Sequence, residues 1–243
     1  MKTSGNTILI TGGASGIGFA FAERFLALGN EVIICGRRAS KLNEAKAKYP
    51  QLNTRVVDIA VEDERVALVK WVQDHFPQVN VLVNNAGIQR RVELADHEEW
   101  RERQQEIAIN FEAPVHLTTL LLDQLKKQQH ATIINVTSGL AFAPTALAPI
   151  YCATKAAFHS FTLTLRHQVA KKGIEVIEVI PPAVNTDLGG PGLHTFGAPV
   201  NDFADTIMEE IKKGKTEIGY GTAEEARLAS RQELDQRFAK MNP

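Results

Sequence analysis

Two cysteines, Cys35 and Cys152, are all that 243 residues contain, and they form no CxxC pair. That excludes a disulfide framework and a thiolate zinc site, and it suits a reducing, cytoplasmic setting. Long apolar runs are missing too: no window approaches the roughly 18 apolar residues that span a bilayer. Met1 to Asn6 is polar, with no charged start followed by an apolar stretch, so no secretory leader is expected. Charge of one sign is not in excess. Lys and Arg number 27 against 28 Asp and Glu, a formal net charge of −1. Nucleic acid and anionic membranes reward a basic surface, so neither is expected as a partner. None of the seven histidines stands in HExxH or a similar ligand spacing, which argues against a catalytic metal.

What is present is an ordinary globular composition, 44% hydrophobic and 23% charged, arranged as a regular alternation. Short β-branched runs predict strands at residues 7–11, 31–35, 54–57, 79–83, 132–136 and 174–180, with a seventh within 214–221. Amphipathic stretches predict helices at 16–28, 41–48, 61–75 (carrying Val66, Val69 and Val72), 98–127 and 149–172, and a charged helix at the end. Ile8-Leu9-Ile10, Val32-Ile33-Ile34 and Val81-Leu82-Val83 are continuous apolar runs, as strands buried on both faces require. Strict βα alternation predicts an α/β fold, a doubly wound, Rossmann-like parallel sheet flanked by helices on both faces. An eight-stranded barrel is the competitor. Six or seven strands, and a glycine cluster after the first, favour the open sheet. With no linker, repeat or low-complexity tract, residues 1–243 read as a single domain.

The glycine cluster is Thr11-Gly12-Gly13-Ala14-Ser15-Gly16-Ile17-Gly18. Between a strand and a helix, such a turn lets backbone approach a pyrophosphate and aims free N–H groups at it. A dinucleotide is the expected ligand. Its adenine ribose is read at the end of the second strand, where a carboxylate would bind the hydroxyls of NAD and repel a 2′-phosphate. Here Gly36 is followed by Arg37 and Arg38. Guanidinium groups fork onto phosphate, so NADP(H) is expected over NAD(H). Asp58, after the third strand, is placed to accept a hydrogen bond from the adenine amine or to cap the next helix.

Tyr151 and Lys155, four apart at the start of a helix, share one face. A phenol near pKa 10 is a poor acid at neutral pH, and a neighbouring ammonium makes it a usable proton donor or acceptor. That pair gains meaning from its company. Ser138 follows the fifth strand, and Asn84-Asn85-Ala86-Gly87 ends the fourth, both at the carboxyl edge where open α/β sheets place their sites. Asn110 lies mid-helix, an indifferent place for asparagine, as a catalytic group or a buried amide bonded to backbone.

In these elements the chain resembles the short-chain dehydrogenase/reductase family over residues 5 to 220. They are TGGASGIG at 11–18, Asp58, NNAG at 84–87, Asn110, Ser138, YCATK at 151–155, and Pro181, Val184 and Thr186. The resemblance implies hydride transfer between nicotinamide and a carbonyl or alcohol. Tyr151 would be the general acid or base, and Ser138 the group that hydrogen-bonds the substrate oxygen. Lys155 would tune the tyrosine and hold ribose, and Asn110 would anchor a water-linked proton path. Cofactor contacts are implied at Gly12, Ser15, Gly16, Ile17, Gly18, Asn85, Ala86, Gly87, Tyr151, Lys155, Pro181, Val184 and Thr186, beside Arg37, Arg38 and Asp58. Two departures stand out. Pro182 occupies a place the family usually gives to glycine, fixing φ and removing an N–H. Ser15 stands where NADP-dependent members often carry a basic residue, so the preference leans on Arg37 and Arg38.

Residues 187–200, rich in glycine and proline and holding Leu193, His194 and Phe196, read as a substrate lid or a surface loop. Gln89, Arg90 and Arg91 would line the entrance or form a solvated face. Apolar residues beyond one stripe on the two long helices (Ile107, Phe111, Leu117, Leu121; Phe158, Phe161, Leu165, Val169) suggest a homodimer or homotetramer. The competing function is a regulator that senses NADP(H) without turnover. The complete Asn110, Ser138, Tyr151 and Lys155 set favours an enzyme, because a sensor needs no proton donor.

Overall fold

The computed structural model describes residues 1–95 and 100–243. Seven strands form one parallel sheet among these residues: β1 Thr7–Thr11, β2 Glu31–Gly36, β3 Asn53–Val56, β4 Val81–Asn84, β5 Thr132–Val136, β6 Glu175–Ile180 and β7 Glu217–Gly219. Their order is β3-β2-β1-β4-β5-β6-β7. The chain winds outward from β1 in one direction, then crosses to β4 and winds in the other. The crevice at that reversal, between the carboxyl ends of β1 and β4, is where such sheets bind ligands. Observed strand ends differ from the expected ones by one or two residues, the usual fraying of assignments.

The apolar runs are continuous because alternate residues serve opposite layers. Ile8, Ile10, Ile34, Val83 and Ile134 face a layer made by α1 Gly16–Ala27, α2 Ala39–Lys48 and α7 Val200–Lys212. Leu9, Ile33, Leu82, Ile133 and Val176 face α3 Glu62–His75, α5 Ala113–Leu125 and α6 Pro149–Ala170. The doubly wound arrangement is thus present as expected. Val66 is not part of it: α3 buries Val69 and Val72 but leaves Val66 46% exposed. The helix α7 fills a span the strand-by-strand reading left without an element. Phe203, Ala204, Ile207, Met208 and Ile211 lie along its buried face, the i, i+3, i+4 spacing of a core helix.

The expected single helix over residues 98–127 is interrupted. Its first residues, Glu98 and Glu99, lie outside the described residues. From Trp100 it runs as α4 Trp100–Ile107, a π-turn at Ala108–Glu112, and then α5. Much of the surface expected to meet a subunit partner is spent internally, since Leu117, Leu121, Phe158, Leu165 and Val169 are buried within this chain. Ile107, Phe111 and Phe161 remain half-buried. The C-terminal end adds α8 Thr222–Leu228 and α9 Arg231–Met241. A Ser230–Glu233 capping box opens α9, which buries none of its residues. No helix among the described residues is long and apolar enough to cross a membrane.

Candidate active site

The turn after β1 is shaped by space. Gly12 has φ +65°, and a Cβ there would lie 2.9 Å from the Ala86 backbone. A Cβ on Gly18 would lie 2.5 Å from the Gly12 carbonyl oxygen. The first glycine brings the β1 turn against the segment after β4, and the second seats α1 on that turn. Thr11 pins the two together. Its hydroxyl accepts the Asn85 and Ala86 N–H groups at 3.0 and 3.1 Å, while the Asn85 amide donates to the Thr11 carbonyl at 3.0 Å. Glycine spacing alone gave no hint of this role for Thr11.

These segments open onto one cleft of about 1500 Å³. Gly12, Ser15, Gly16, Ile17, Arg37, Arg38, Asp58, Asn85, Ala86, Gly87, Ser138, Tyr151, Lys155, Pro181, Val184 and Thr186 all line it. Gly18 and Asn110 do not; both lie behind the wall. At the end nearest β2, the Arg38 guanidinium donates to the Ser15 hydroxyl at 2.9 Å. Ser15 is the position without the expected basic residue, and Arg38 brings a positive charge to it from the neighbouring turn. Arg37 lies 4.0 Å from the Asp58 carboxylate. Asp58 also accepts the Ala60 N–H at 3.0 Å, so it closes the turn ahead of α3 rather than capping that helix.

At the other end, Pro149 in the first turn of α6 sets where that helix starts, since proline is favoured where an N–H is unneeded. Tyr151 therefore falls in the first turn and Lys155 one turn on, both buried. The Ser138 hydroxyl lies beside the Tyr151 phenol and favours its ionised form. Ser138 Oγ also accepts the Leu140 N–H at 3.1 Å, which orients it. Lys155 Nζ donates to the Val136 carbonyl at 2.8 Å and sits 5.7 Å from the Tyr151 ring centre. Burial pulls the lysine down to about 8, against the opposing pull of the Glu178 carboxylate. The same burial pushes the Tyr151 phenol well above its usual range, and the Ser138 hydroxyl only partly offsets it. The expected net lowering of Tyr151 is thus reversed in the protein alone, because desolvating a phenolate outweighs nearby stabilisation.

Asn110 lies in the π-turn, a distortion that re-aims side chains within a helix. Its Nδ2 donates to the Ile88 carbonyl at 2.8 Å and to Thr154 Oγ1 at 3.2 Å, and its Oδ1 accepts the Ile88 N–H at 2.9 Å. The buried-amide alternative therefore describes the side chain. It ties the segment after NNAG to the helix that carries Tyr151. Arg65, buried in α3, holds the turn from outside through Glu112 at 2.6 Å and reaches the Ile59 carbonyl at 2.8 Å.

The chain matches the short chain dehydrogenase profile over residues 6–193. It belongs to the short-chain dehydrogenase family of oxidoreductases. Its sequence is 47% identical over 248 residues to DltE, an uncharacterised oxidoreductase of Bacillus subtilis, covering 100% of this chain and 98% of that one. A short-chain dehydrogenase from Streptomyces avermitilis superposes with TM-score 0.84 at 27% identity, covering 99% and 96% of the two chains. One from Burkholderia cenocepacia, solved in complex with NADP, has the same fold at TM-score 0.85 and 23% identity over 98% and 99%.

Several features of this dehydrogenase were invisible in its motifs. Arg237, Lys240 and Met241 of α9 line the cleft, although the sequence marks α9 only as a charged tail. Asn242, just beyond, accepts the Ala146 N–H at 2.6 Å and donates to the Pro144 carbonyl at 3.2 Å, in the loop leading to Tyr151. Cys152 bonds that loop at Thr145. Glu106, with no exposed surface, accepts the Arg90 N–H at 3.2 Å, and burial pushes its carboxyl up to about 7. Asp187 to Gly190, His194 and Phe196 line the cleft from the expected lid. Among the described residues no three His, Cys, Asp or Glu side chains cluster as a metal site.

Proposed function

We propose that this chain is an NADP(H)-dependent carbonyl reductase or alcohol dehydrogenase in which Tyr151 is the general acid in reduction and the base in oxidation. The observation that carries the reading is the buried Tyr151–Ser138 hydroxyl pair with the Lys155 amine beside it. The residues also fit the dinucleotide. The Gly12–Gly16 turn, too tight for a side chain at Gly12 or Gly13, would take the pyrophosphate at the start of α1. Arg38 with Ser15, and Arg37, would take the 2′-phosphate, and Asp58 the adenine amine. Lys155 would hold the nicotinamide ribose, and Pro181, Val184 and Thr186 the nicotinamide end. When bound, the nicotinamide supplies the hydride.

The chain's own residues supply the proton and its control. Ser138 would hold the substrate oxygen beside the Tyr151 hydroxyl. Below about pH 8 Lys155 carries its charge and would stabilise the phenolate left when Tyr151 gives up its proton. The raised phenol favours a protonated Tyr151 at neutral pH, which suits reduction. Asn110 would contribute by fixing Ile88 and Thr154 around Tyr151, and residues 187–200 would close over a small-molecule substrate. A cytoplasmic homodimer or homotetramer through the long helices would use the half-buried Ile107, Phe111 and Phe161.

The cofactor preference has its own test. Charge-assisted hydrogen bonds contribute about 1.5–3 kcal/mol each. Replacing Arg37 and Arg38 together by alanine should therefore weaken NADPH binding by about 10²- to 10⁴-fold, with little change for NADH. Titration of both nucleotides by calorimetry or fluorescence measures this. Equal losses for the two nucleotides would remove the basis for the NADP preference.

A further inference from the structure

Glu178 is a carboxylate in the middle of β6 with no exposed surface. A buried strand does not keep a charge at its centre unless partners hold it. Its Oε1 accepts the Thr137 hydroxyl at 2.7 Å, and His159 Nδ1 lies 2.9 and 3.0 Å from the two carboxylate oxygens. The ring of His159 packs 4.6 Å from that of Phe142.

Both partners lead to Lys155. Thr137 follows Val136, whose carbonyl accepts the Lys155 Nζ hydrogen bond. His159 is one turn beyond Lys155 on α6, on the same face. Thr137 and His159 thus tie the carboxylate to the two segments that hold Lys155. It is the anion that raises the proton affinity of Lys155. The other ionisable groups around this pair have separate roles. Glu106, from α4, acts on Tyr151 and is held by the Arg90 N–H. Arg227, from α8, also feels Glu178 but pairs with Glu217 and Glu224. Tyr151 and His159 share the helix of Lys155.

We propose that Glu178, clamped by Thr137 and His159, is a positioning residue that keeps the Lys155 amine charged and drawn against the Val136 carbonyl beneath Tyr151. The proposal rests on reading Tyr151 and Lys155 as the proton-transfer pair. Thr137 and His159 fix the carboxylate, and Glu178 acts on the lysine without touching substrate.

The test is the titration of Lys155 Nζ by NMR in the full-length, cofactor-free protein, with the signal assigned through Lys155→Met. Glu178→Gln keeps an oxygen for Thr137 but removes the charge. Its Lys155 midpoint should fall by about one pH unit, and Glu178→Asp should restore most of that fall. Should Glu178→Gln not fold, the triple variant Thr137→Val, His159→Phe, Glu178→Met replaces the cluster with apolar side chains, a change that buried ionic groups often tolerate. The same fall is expected there. A midpoint unchanged in these variants, or one that Glu178→Asp leaves depressed, would overturn the role of Glu178. The titration needs no turnover. An unchanged midpoint therefore overturns this inference even where Tyr151→Phe abolishes reduction, and a shifted midpoint supports it even where Tyr151→Phe does not.

Discussion

Replacing Tyr151 by phenylalanine is expected to lower carbonyl reduction by about 10²- to 10⁴-fold, the usual contribution of a positioned general acid. NADPH binding should change little. The variant keeps the ring that packs at the start of α6 and deletes only the hydroxyl beside Ser138. The cofactor end of the cleft, built from the Gly12 turn and the Arg38–Ser15 contact, lies on other elements. Stopped-flow oxidation of NADPH, set beside a binding titration of the same variant, separates the two effects. Undiminished turnover would show that the proton comes from elsewhere.

Lys155→Met is expected to abolish turnover and yet stabilise the fold at neutral pH. The native amine is buried, and its affinity for the proton falls from the usual 10.5 to about 8. The sign follows from linkage. A group whose folded value is depressed contributes its full stability above the unfolded value, and loses it as pH falls through the folded value. The wild type therefore bears the whole cost of the buried ammonium below about pH 8 and is relieved of it between 8 and 10.5. Each unit corresponds to about 1.4 kcal/mol. Methionine also leaves the Val136 carbonyl without its donor, a loss of about 1–3 kcal/mol. The net gain expected at pH 7 is about 1–2 kcal/mol, shrinking toward pH 10. Urea unfolding across that range checks both size and direction, and a variant less stable at pH 7 than at pH 10 relative to wild type would contradict it. Such a gain is the mark of a site that holds a destabilising group for its chemistry.

The sheet was legible because each strand carries an apolar signature that only two-sided burial explains. Ile8-Leu9-Ile10 divides its side chains between two helical layers, and no amphipathic alternative fits. The π-turn at Asn110 was not legible, since one added residue in a helix leaves the apolar period nearly intact. The helix α7 escaped notice because the glycine- and proline-rich stretch before it drew residues up to Val200 into the loop. In the site, Tyr151, Ser138 and Lys155 could be grouped because they lie at strand ends or one turn apart. The Arg38–Ser15 contact could not, because it joins residues 23 apart whose meeting depends on how the two turns fold back. Glu178 did leave a trace. A carboxylate within Glu175-Val176-Ile177-Glu178-Val179-Ile180 is out of place in a buried strand, but nothing in the sequence pairs it with Thr137 and His159.

The most direct measurement follows the hydride and the proton together. Panels of aldehydes and ketones are incubated with wild-type protein and NADPH deuterated at C4, and products are read by mass spectrometry. The expected result is an alcohol bearing deuterium on the former carbonyl carbon, formed by the wild type and nearly lost in Tyr151→Phe, although both bind NADPH. Tight NADPH binding with no labelled alcohol from any member of the panel would contradict the account and point to a protein that senses the nucleotide without turning it over.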